Sequence, residues 1–567
     1  MPLCICPAFG QAARALSKTP THRQLGFHYA LAILGGTLLA LAFPNANVAG
    51  LAWIAPGVML AAAFGRSEAE SFRLGYVAGL AFWLASLYWL LLIPATGFPI
   101  LGWAALAGYL GLFQGAWVWL CWRCFPAAVA MQTAVRRHPD AGVREALRVF
   151  QAAPRLARLR WAIFCAASWV ALEMLRARLL SGFPWSLLGV SQFQLTPLLQ
   201  ISAATGVYGV SFLVAWTSVS LLGAGLMLLQ PQASRSALVG EVFLPFLTVA
   251  VIFATGYYHI THVPTSPREV RVTVVQPSIP QTMIWDSSAD ERRFAELIAL
   301  TQSALSNNTD LLVWPEAAVP ELNADTYRAV TNIAVAHHVW FIFGADDVQL
   351  RPGAVNDHDV LYFNAAWLLS PRGLMADTYH KRRLVMFGEY VPLARWLPFV
   401  KWLTPITGSY EAGTAPSQFF LRDLDVTASP LICFEDVFPH DVRDHVTEAT
   451  DLLVNLTNDG WFGEGAEQWQ HAANAVFRAV ENGVPLVRAC NNGLSCWVDP
   501  QGRLRNVLRD RQGTIYGRNF TTFKVALEPA PHRTTFYQRH GDVFGWACVG
   551  FTALVWLRRP FARQHKI

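Results

Sequence analysis

Glu316, Lys381 and Cys433 each stand at the edge of a short, apolar, β-like segment of the sequence. A cysteine is a weak nucleophile until its thiol loses a proton, and Glu316 could be the base that removes it. Attack on a carbonyl builds an oxyanion, which a fixed cation such as Lys381 would stabilise. Glu389 could hold Lys381 in place or act as a second acid or base. These residue types point to amide or acyl transfer through a cysteine nucleophile.

Each of these residues also has an ordinary structural interpretation. A lone cysteine at a strand end is more often a small buried hydrophobic residue. A glutamate after Trp-Pro is usually a loop residue or a helix cap, and a lysine within Lys-Arg-Arg usually lies in solvent. Taken singly, the residues leave the function open.

The scaffold that must position these side chains lies in residues 260–540. Short β-branched apolar segments alternate there with segments of helical periodicity, which is the pattern of an α/β domain. A region of about 280 residues can bury a full core. The predicted strands are 270–275, 311–314, 339–343, 361–369, 430–433, 452–456 and 486–490, and the predicted helices are 289–305, 324–338, 439–449 and 466–482.

The rest of the chain has the composition of an integral membrane protein. The 567 residues are 53% hydrophobic and only 14% charged, the mean hydropathy is +0.31, and soluble proteins average about 25% charged residues. A membrane span needs about 20 apolar residues. The sequence predicts about eight transmembrane helices, near 27–44, 48–64, 71–94, 99–121, 160–177, 204–229, 240–258 and 541–557.

Arginine placement predicts the orientation of these spans. Arginines are concentrated in the N-terminal tail, between the fourth and fifth spans, and at the C-terminus, whereas Arg176 and Arg178 are exceptions on the other side. The positive-inside rule makes the arginine-rich side cytoplasmic and residues 260–540 periplasmic. The predicted organisation is a cytoplasmic tail 1–26, a bundle of about seven helices 27–259 with a cytoplasmic insertion 126–159, the catalytic domain 260–540, a last span 541–557 and a cytoplasmic tail 558–567. This explains the net charge of +6 better than nucleic-acid binding does.

The combined motifs resemble those of a known superfamily. They are Trp314-Pro315-Glu316, then Lys381 with Phe387-Gly388-Glu389-Tyr390-Val391-Pro392, then Cys433-Phe434-Glu435. This order is similar to the nitrilase superfamily, whose Glu-Lys-Cys site lies on an α-β-β-α sandwich. With its membrane flanks, and with Gly182-Phe183-Pro184-Trp185 and Asn458-Asp459-Gly460-Trp461-Phe462-Gly463, the chain resembles the apolipoprotein N-acyltransferases over nearly its whole length.

The resemblance assigns roles to particular residues. It implies that Glu316 is the base, Lys381 the catalytic lysine and Cys433 the nucleophile. Supporting or substrate-binding residues follow from the same match: Glu389, Glu435, Trp285 near the substrate entry, Asn364 on a strand, and Phe434. The family commonly has tyrosine directly after the cysteine, so Phe434 is a departure from its pattern.

The resemblance also implies the reaction. A fatty acyl chain moves from a phospholipid, through a Cys433 thioester, to the α-amine of diacylglyceryl-cysteine in an apolipoprotein, the last step of lipoprotein maturation. The expected setting is the bacterial inner membrane, with a monomeric, multi-pass enzyme that uses no metal and no cofactor. The aromatic and basic segment 394–405 suits a lid at the membrane interface, or else an ordinary packed loop.

Two alternatives use the same sequence features. A membrane-tethered amidohydrolase could employ the same four residues on a small soluble amide, although one membrane anchor would then suffice. A transporter or receptor would place charged residues at mid-membrane, and the predicted spans are nearly free of them. Cys490 and Cys496 could pair as a disulfide or remain free in the core.

Overall fold

A computed structural model of the chain provides the coordinates. It describes residues 22–95, 98–137, 142–229, 235–263, 268–306, 308–353, 359–392, 409–527 and 534–558. The predicted lid 394–405 lies outside the described residues.

The region 260–540 contains two six-stranded sheets. The strands are β1 Glu269–Gln276, β2 Leu311–Val313, β3 Trp340–Leu350, β4 Val360–Leu369, β5 Met375–His380, β6 Phe419–Leu421, β7 Val426–Ile432, β8 Leu452–Thr457, β9 Leu486–Cys490, β10 Cys496–Val498, β11 Leu504–Arg505 and β12 Asn519–Ala526. The first sheet has the strand order β12-β1-β2-β3-β4-β5 and the second has the order β11-β10-β9-β8-β7-β6.

Each sheet has a parallel centre and antiparallel edges. Strands β1, β2 and β3 run parallel, as do β7, β8 and β9. The neighbours β4, β5 and β12 in the first sheet, and β6, β10 and β11 in the second, pair antiparallel. Because the parallel strands share a direction, the carboxyl ends of β2 and β3 lie at one edge of their sheet, which is where loops can carry functional side chains.

The two sheets pack face to face through their alternate residues. Val272 and Val274 of β1 and Val313 of β2 point into the same core as Ile432 of β7 and Leu456 of β8. The intervening residues of the first sheet face the opposite way, because successive side chains of a strand point to opposite faces.

Helices cover the outer face of both sheets. The helices of this region are α12 Gln281–Ile284, α13 Asp290–Ala304, α14 Ala324–His337, α15 Pro439–Asp444 and α16 Glu467–Asn482. Leu297 of α13 and Val330 of α14 join the core outside the first sheet, and Val476 of α16 joins the core outside the second. The layers therefore form the α-β-β-α sandwich that the motifs predicted.

The described residues before the sandwich, within 22–263, and after it, 534–558, are helical, and together they are the membrane half. Its helices are α1 His22–Leu41, α2 Ala55–Ala62, α3 Glu68–Ser86, α4 Phe98–Arg123, α5 Ala128–Arg137, α6 Gly142–Ala152, α7 Arg155–Arg176, α8 Thr196–Leu199, α9 Ser202–Thr205, α10 Val207–Leu228 and α11 Arg235–Thr261, with α17 Phe536–His540 and α18 Val543–Leu557 after the sandwich. The core of this bundle is continuous with the core around α16, so the bundle replaces solvent on that side of the sandwich.

Three of the described helical segments are long and apolar enough to cross a membrane: 99–123, 207–228 and 239–261. Shorter apolar helices cover 26–41 and 543–557, and each of the five segments overlaps one of the expected spans. The expected span 48–64 instead contains α2, whose 8 residues reach about 12 Å against a hydrocarbon core of about 30 Å. The number of eight transmembrane helices therefore stays a prediction.

The insertion 126–159 contains α5, α6 and the first turn of α7. Phe150 of α6 is buried and its ring stacks on Phe125 at a centroid distance of 5.3 Å. Cys490 and Cys496 are both free and buried, which agrees with the alternative of two unpaired core cysteines and not with a disulfide.

We expect the core between the sheets to dominate the stability of the sandwich. Leu452 on β8 is fully buried there, so Leu452→Ala should destabilise the protein by about 2–5 kcal/mol, because it removes buried methyl groups and leaves a cavity. Leu374 is 65% exposed, and Leu374→Ala should change stability by less than about 0.5 kcal/mol. Thermal unfolding in detergent, followed by tryptophan fluorescence, tests the pair. Equal shifts in the two variants would contradict this assignment of the core.

Candidate functional site

The three predicted site residues lie just beyond strand ends. Glu316 comes after β2, Lys381 directly follows β5, and Cys433 directly follows β7. The first two belong to one sheet and Cys433 to the other. The charge of Glu316 acts on the pKa of Lys381 and on the pKa of Cys433. The sandwich therefore brings together Glu316 and Cys433, which lie more than a hundred residues apart in the sequence.

Lys381 lies between two carboxylates. Its Nζ donates to Glu316 Oε1 at 3.0 Å and to Glu389 Oε1 at 2.8 Å. Asn364 on β4 donates to the same two oxygens, at 2.8 and 2.9 Å. All four side chains are buried. One amide and one ammonium therefore fix the separation of the two glutamates, which leaves little freedom in the site.

The charge of Lys381 is secured by these neighbours. Burial lowers the pKa of the Lys381 amine, but the carboxylates of Glu316 and Glu389 more than offset burial and hold the pKa well above its ordinary value. Lys381 is therefore an ammonium at every physiological pH. It can stabilise an oxyanion, but it cannot act as a base.

Cys433 is half-buried and free. Burial, and then the charge of Glu316, raise the pKa of its thiol well above the ordinary value, although Lys381 acts in the opposite direction. The resting residue is thus a thiol, and its proton must be removed as the sulfur attacks. Glu316 can do this, because its Oε2 atom is buried and has no hydrogen-bond partner among the described residues.

The backbone of Cys433 is in the left-handed region, with φ of +52°. A residue other than glycine in that region costs about 1–3 kcal/mol and persists only where its surroundings enforce it. Asn455 on β8 donates to the Cys433 carbonyl oxygen at 3.2 Å. This conformation sets the thiol at a sharp turn between β7 and the short 3-10 helix Cys433–Val437.

Glu435 closes this turn and joins it to the opposite sheet. Its carboxylate accepts the backbone N–H of Ile432 at 2.7 Å and that of Arg382 at 2.6 Å, together with the hydroxyl of Tyr379 at 2.7 Å. Arg382 is the neighbour of Lys381, so Glu435 ties the loop of the lysine to the turn of the nucleophile. The supporting role of Glu435 stays a prediction.

Phe434 and Trp285, two further predicted site residues, make contacts with aromatic rings. Phe434 packs against Phe183 and Trp185 of the membrane half, at 6.1 Å to each ring centroid, so no hydroxyl is needed for its contacts. Trp285 is 42% exposed and meets Trp461 edge to face at 5.2 Å. Neither side chain hydrogen-bonds to Lys381 or Glu316 among the described contacts.

Sequence reasoning missed a further acid, whose pKa is affected by Glu316 and Glu389. Asp346 on β3 is paired in register with Asn364 and accepts the Tyr410 hydroxyl at 3.1 and 3.0 Å. Burial raises the pKa of Asp346 to about 6, and the charges of Glu316 and Glu389 act in the same direction. Its position in the consecutive pair Asp346-Asp347 within a strand was the only signal in the sequence.

A second set of buried charges lies near the Cys433 turn, and sequence reasoning missed it too. Arg488 on β9 pairs with Asp436 and with Asp459, the latter at 3.3 Å. His471 on α16 lies with its Nε2 at 2.8 Å from Asp436 and its Nδ1 at 2.8 Å from Asp459. Asp459 was visible as part of a motif, but helical periodicity alone makes His471 an ordinary core residue.

Asp459, Glu467 and His471 bring ligand-type atoms within 4.8 Å of one another, which raises the question of a metal ion. Both ring nitrogens of His471 face carboxylates, and the guanidinium of Arg488 already contacts Asp459. A metal ion would have to displace a proton and lie beside that guanidinium. The arrangement of these charged side chains therefore fits an ion-pair network better than it fits a metal site.

Family models match both halves of the chain. Residues 271–518 match the model of carbon-nitrogen hydrolases, and residues 35–221 match the model of the apolipoprotein N-acyltransferase N-terminal domain. Among solved structures, a mutant amidase from Nesterenkonia sp. AN1 is similar at 16% identity and a TM-score of 0.35, over 48% of this chain and 94% of the amidase.

Relatives of known name extend over nearly the full chain. The apolipoprotein N-acyltransferase of Geobacter metallireducens is 36% identical over 93% of this chain and 94% of its own length. That of Rhizobium rhizogenes is 31% identical, over 84% of this chain and 87% of its own length. The chain therefore belongs to the apolipoprotein N-acyltransferase family and is an acyltransferase that performs the N-acylation step of lipoprotein maturation.

Proposed function

We propose that Cys433, Glu316 and Lys381 carry out the transfer in two half-reactions. In the first, Glu316 takes the thiol proton while the sulfur attacks an ester carbonyl of a phospholipid. The resulting oxyanion lies beside Lys381, and its collapse expels the lysophospholipid oxygen, which takes the proton back from Glu316. The product is a thioester on Cys433.

In the second half-reaction the acceptor amine replaces the ester. The α-amine of diacylglyceryl-cysteine attacks the thioester carbon, and Glu316 accepts a proton from the amine. Collapse of the second oxyanion forms the amide and expels the thiolate, which regains its proton from Glu316. Atoms and charges thus return to the resting state, and each side chain acts in both steps.

One observation carries this proposal. The buried Lys381 ammonium is held by two carboxylates, and one of them, Glu316, keeps an unpartnered oxygen. A preorganised cation and a free base oxygen beside a thiol in a strained turn are the parts that acyl transfer needs. Glu389 and Asn364 fix the lysine, and Glu435 fixes the turn, so these three act by position.

The membrane contacts support lipid substrates. Phe434, next to the nucleophile, packs on Phe183 and Trp185 of the membrane half, so the reacting sulfur lies close to the junction between the two halves. A phospholipid donor and a diacylglyceryl acceptor both remain in the bilayer and could reach such a junction without entering water. Trp285, exposed beside Trp461, is in our proposal a contact for entering substrate. We propose a monomer in the bacterial inner membrane.

The arginine distribution supports the orientation in which residues 260–540 are periplasmic and both termini are cytoplasmic. We retain the boundaries 27–259 for the membrane bundle and 541–557 for the last span. Strands β1 and β12, which begin and end the sandwich, lie within 260–540.

The first prediction from the proposed function concerns the covalent intermediate. Incubation with phospholipid alone should add one acyl mass to the native chain, as a thioester that hydroxylamine cleaves, and intact-protein mass spectrometry would detect it. Cys433→Ala should gain no mass, and Cys433→Ser should lose turnover because a hydroxyl is a far weaker nucleophile at neutral pH. Cys496→Ala, which removes a buried free cysteine, is the matched control and should still be acylated. Acyl mass on Cys433→Ala would remove Cys433 from the mechanism.

The second prediction separates the base from the cation. Glu316→Gln and Lys381→Ala should each slow the formation of the thioester, the latter by about 100- to 1000-fold, because one oxyanion contact is lost. Single-turnover mass measurements report this step directly. Thioester that accumulates at the native rate in Glu316→Gln would show that Glu316 is not the base for the first half. Free fatty acid as the main product, with no transfer to an amine, would favour hydrolysis over transfer.

The third prediction concerns orientation. Leu374 in the sandwich and Val143 on α6 are both exposed. A membrane-impermeant maleimide applied to spheroplasts should label Leu374→Cys, while Val143→Cys should react only after permeabilisation, because the two positions lie on opposite sides of the membrane. Labelling of both from the same side would refute the topology.

A further inference from the structure

His471 has contacts that the proposed mechanism does not use. It lies on α16, is 1% exposed, and faces a carboxylate with each ring nitrogen at 2.8 Å. A neutral imidazole has one N–H, and its other nitrogen carries a lone pair that a carboxylate would repel. Both nitrogens must therefore be protonated, although the contact to Asp436 is poorly aligned for a directed hydrogen bond.

The surrounding charges keep the ring positive. Burial lowers the pKa of His471, but the carboxylates of Asp436 and Asp459 more than offset it, and the pKa rises to about 10. Burial and the neighbouring charge of Asp459 raise the pKa of Glu467 well above its ordinary value. With Glu467 neutral, the cations His471 and Arg488 balance Asp436 and Asp459, and the network has no net charge.

One side of His471 reaches the turn of the nucleophile. Asp436 lies three residues after Cys433. Asn455 donates to the Asp436 carboxylate at 2.5 Å as well as to the Cys433 carbonyl oxygen. The pair between His471 and Asp436 thus holds the far end of the same turn whose left-handed backbone presents the thiol.

The other side of His471 reaches the sulfur through one hydroxyl. The Thr457 hydroxyl donates to Asp459 Oδ1 at 3.0 Å, and it also interacts with Cys433, where it lowers the pKa of the thiol. A hydroxyl has a single proton to donate. The Nδ1–H of His471 also donates a hydrogen bond to Asp459 Oδ1. The Thr457 hydroxyl can therefore rotate and donate its hydrogen bond to the sulfur when a thiolate forms.

The residue before His471 connects this network to the membrane half. Gln470 accepts the indole N–H groups of Trp89 and Trp185, at 3.1 and 2.7 Å, and donates to the Pro44 carbonyl oxygen at 2.8 Å. The Trp185 ring also packs on the His471 ring, with a centroid distance of 5.7 Å. Consecutive residues of one helix therefore contact the bundle and the nucleophile turn.

We propose that His471 is a positioning residue of the acylation step: as a fixed imidazolium between Asp436 and Asp459, it holds the Cys433 turn and leaves the Thr457 hydroxyl to stabilise the thiolate. The proposal rests on Cys433 as the nucleophile. Because His471 never touches the reacting atoms, its loss should change how readily the thiolate forms, without changing how substrate binds.

The test measures the thiol without substrate. In the full-length protein in detergent, alkylation of Cys433 by iodoacetamide is followed by peptide mass spectrometry from pH 6 to 11. His471→Gln keeps hydrogen-bond donors but removes the positive charge, so the midpoint pH of alkylation should rise by about one unit. Thioester formation at neutral pH should fall about tenfold, as one pKa unit implies, while KM for phospholipid stays unchanged.

Two further variants separate positioning from general damage. Glu481→Gln breaks another fully buried ion pair of α16, to Arg478, and should leave the alkylation midpoint where it is. Asp459→Asn removes the carboxylate that competes for the Thr457 proton and raises the pKa of the thiol, so it should lower the midpoint. The double variant with His471→Gln should return towards the native value. A rise of the alkylation midpoint in His471→Gln and a fall in Asp459→Asn do not both follow from a loss of packing.

An unchanged midpoint in His471→Gln, or an equal rise in Glu481→Gln, would overturn the proposal. If His471→Gln does not fold, Asp459→Asn decides alone, and an unchanged or raised midpoint in that variant would overturn the proposal. Failure of Cys433 as nucleophile is recognised separately, by acyl mass on Cys433→Ala.

Discussion

The left-handed backbone at Cys433 is the constraint on which the site depends. A strain of about 1–3 kcal/mol must be offset locally, and two adjacent carboxylates do so from opposite directions. Glu435 fastens the turn to the sheet that carries Lys381, and Asp436 fastens it to β8 and β9. Hydrogen bonds to charged groups contribute about 1.5–3 kcal/mol each, so two or three of them exceed the strain. The turn is therefore held between the two sheets.

The same arrangement explains why so many charges can be buried near one thiol. An unpaired buried charge costs several kcal/mol, whereas a pair with satisfied hydrogen bonds comes close to breaking even. Around Lys381, two carboxylates and one amide meet these requirements, apart from Glu316 Oε2, which has no partner among the described residues. Around His471, two carboxylates are balanced by two cations. The thiol lies between these groups, so its pKa reports on both, and its resting state is protonated until a base acts.

The membrane half is part of this structure as well as an anchor. Helix α16 is almost wholly buried, because one of its faces lies on the second sheet and the other contacts the bundle. In a soluble sandwich the outer face of such a helix would meet water. Here Phe434 and Gln470 meet aromatic side chains of the bundle, which places the neighbouring Cys433 close to the junction between the two halves. This position supports the proposal that a lipid ester reaches the sulfur from the bilayer side.

Much of this could be predicted from the sequence by local rules. Alternating apolar segments predicted an α/β domain, because strand and helix preferences depend on nearby residues. The motifs around Glu316, Lys381 and Cys433 predicted which strand ends carry the site, and their resemblance to the nitrilase superfamily implied the sandwich. The motifs alone also allowed a hydrolase, and the full-length relatives decided in favour of an N-acyltransferase. Span number was harder to predict, because a short helix such as α2 has the same apolar composition as a longer one.

Only the tertiary structure decided which polar residues act together. Asp346 and His471 are far in sequence from Cys433, and their own neighbours in the chain give no sign of the carboxylates or the thiol beside them. Pairing of β3 with β4 brings Asp346 to Asn364, and the docking of α16 brings His471 between Asp436 and Asp459. The sequence by itself determined the residue types and the elements that carry the chemistry. Their protonation states depend on burial and on charges contributed by distant segments, which exist only once the chain has folded.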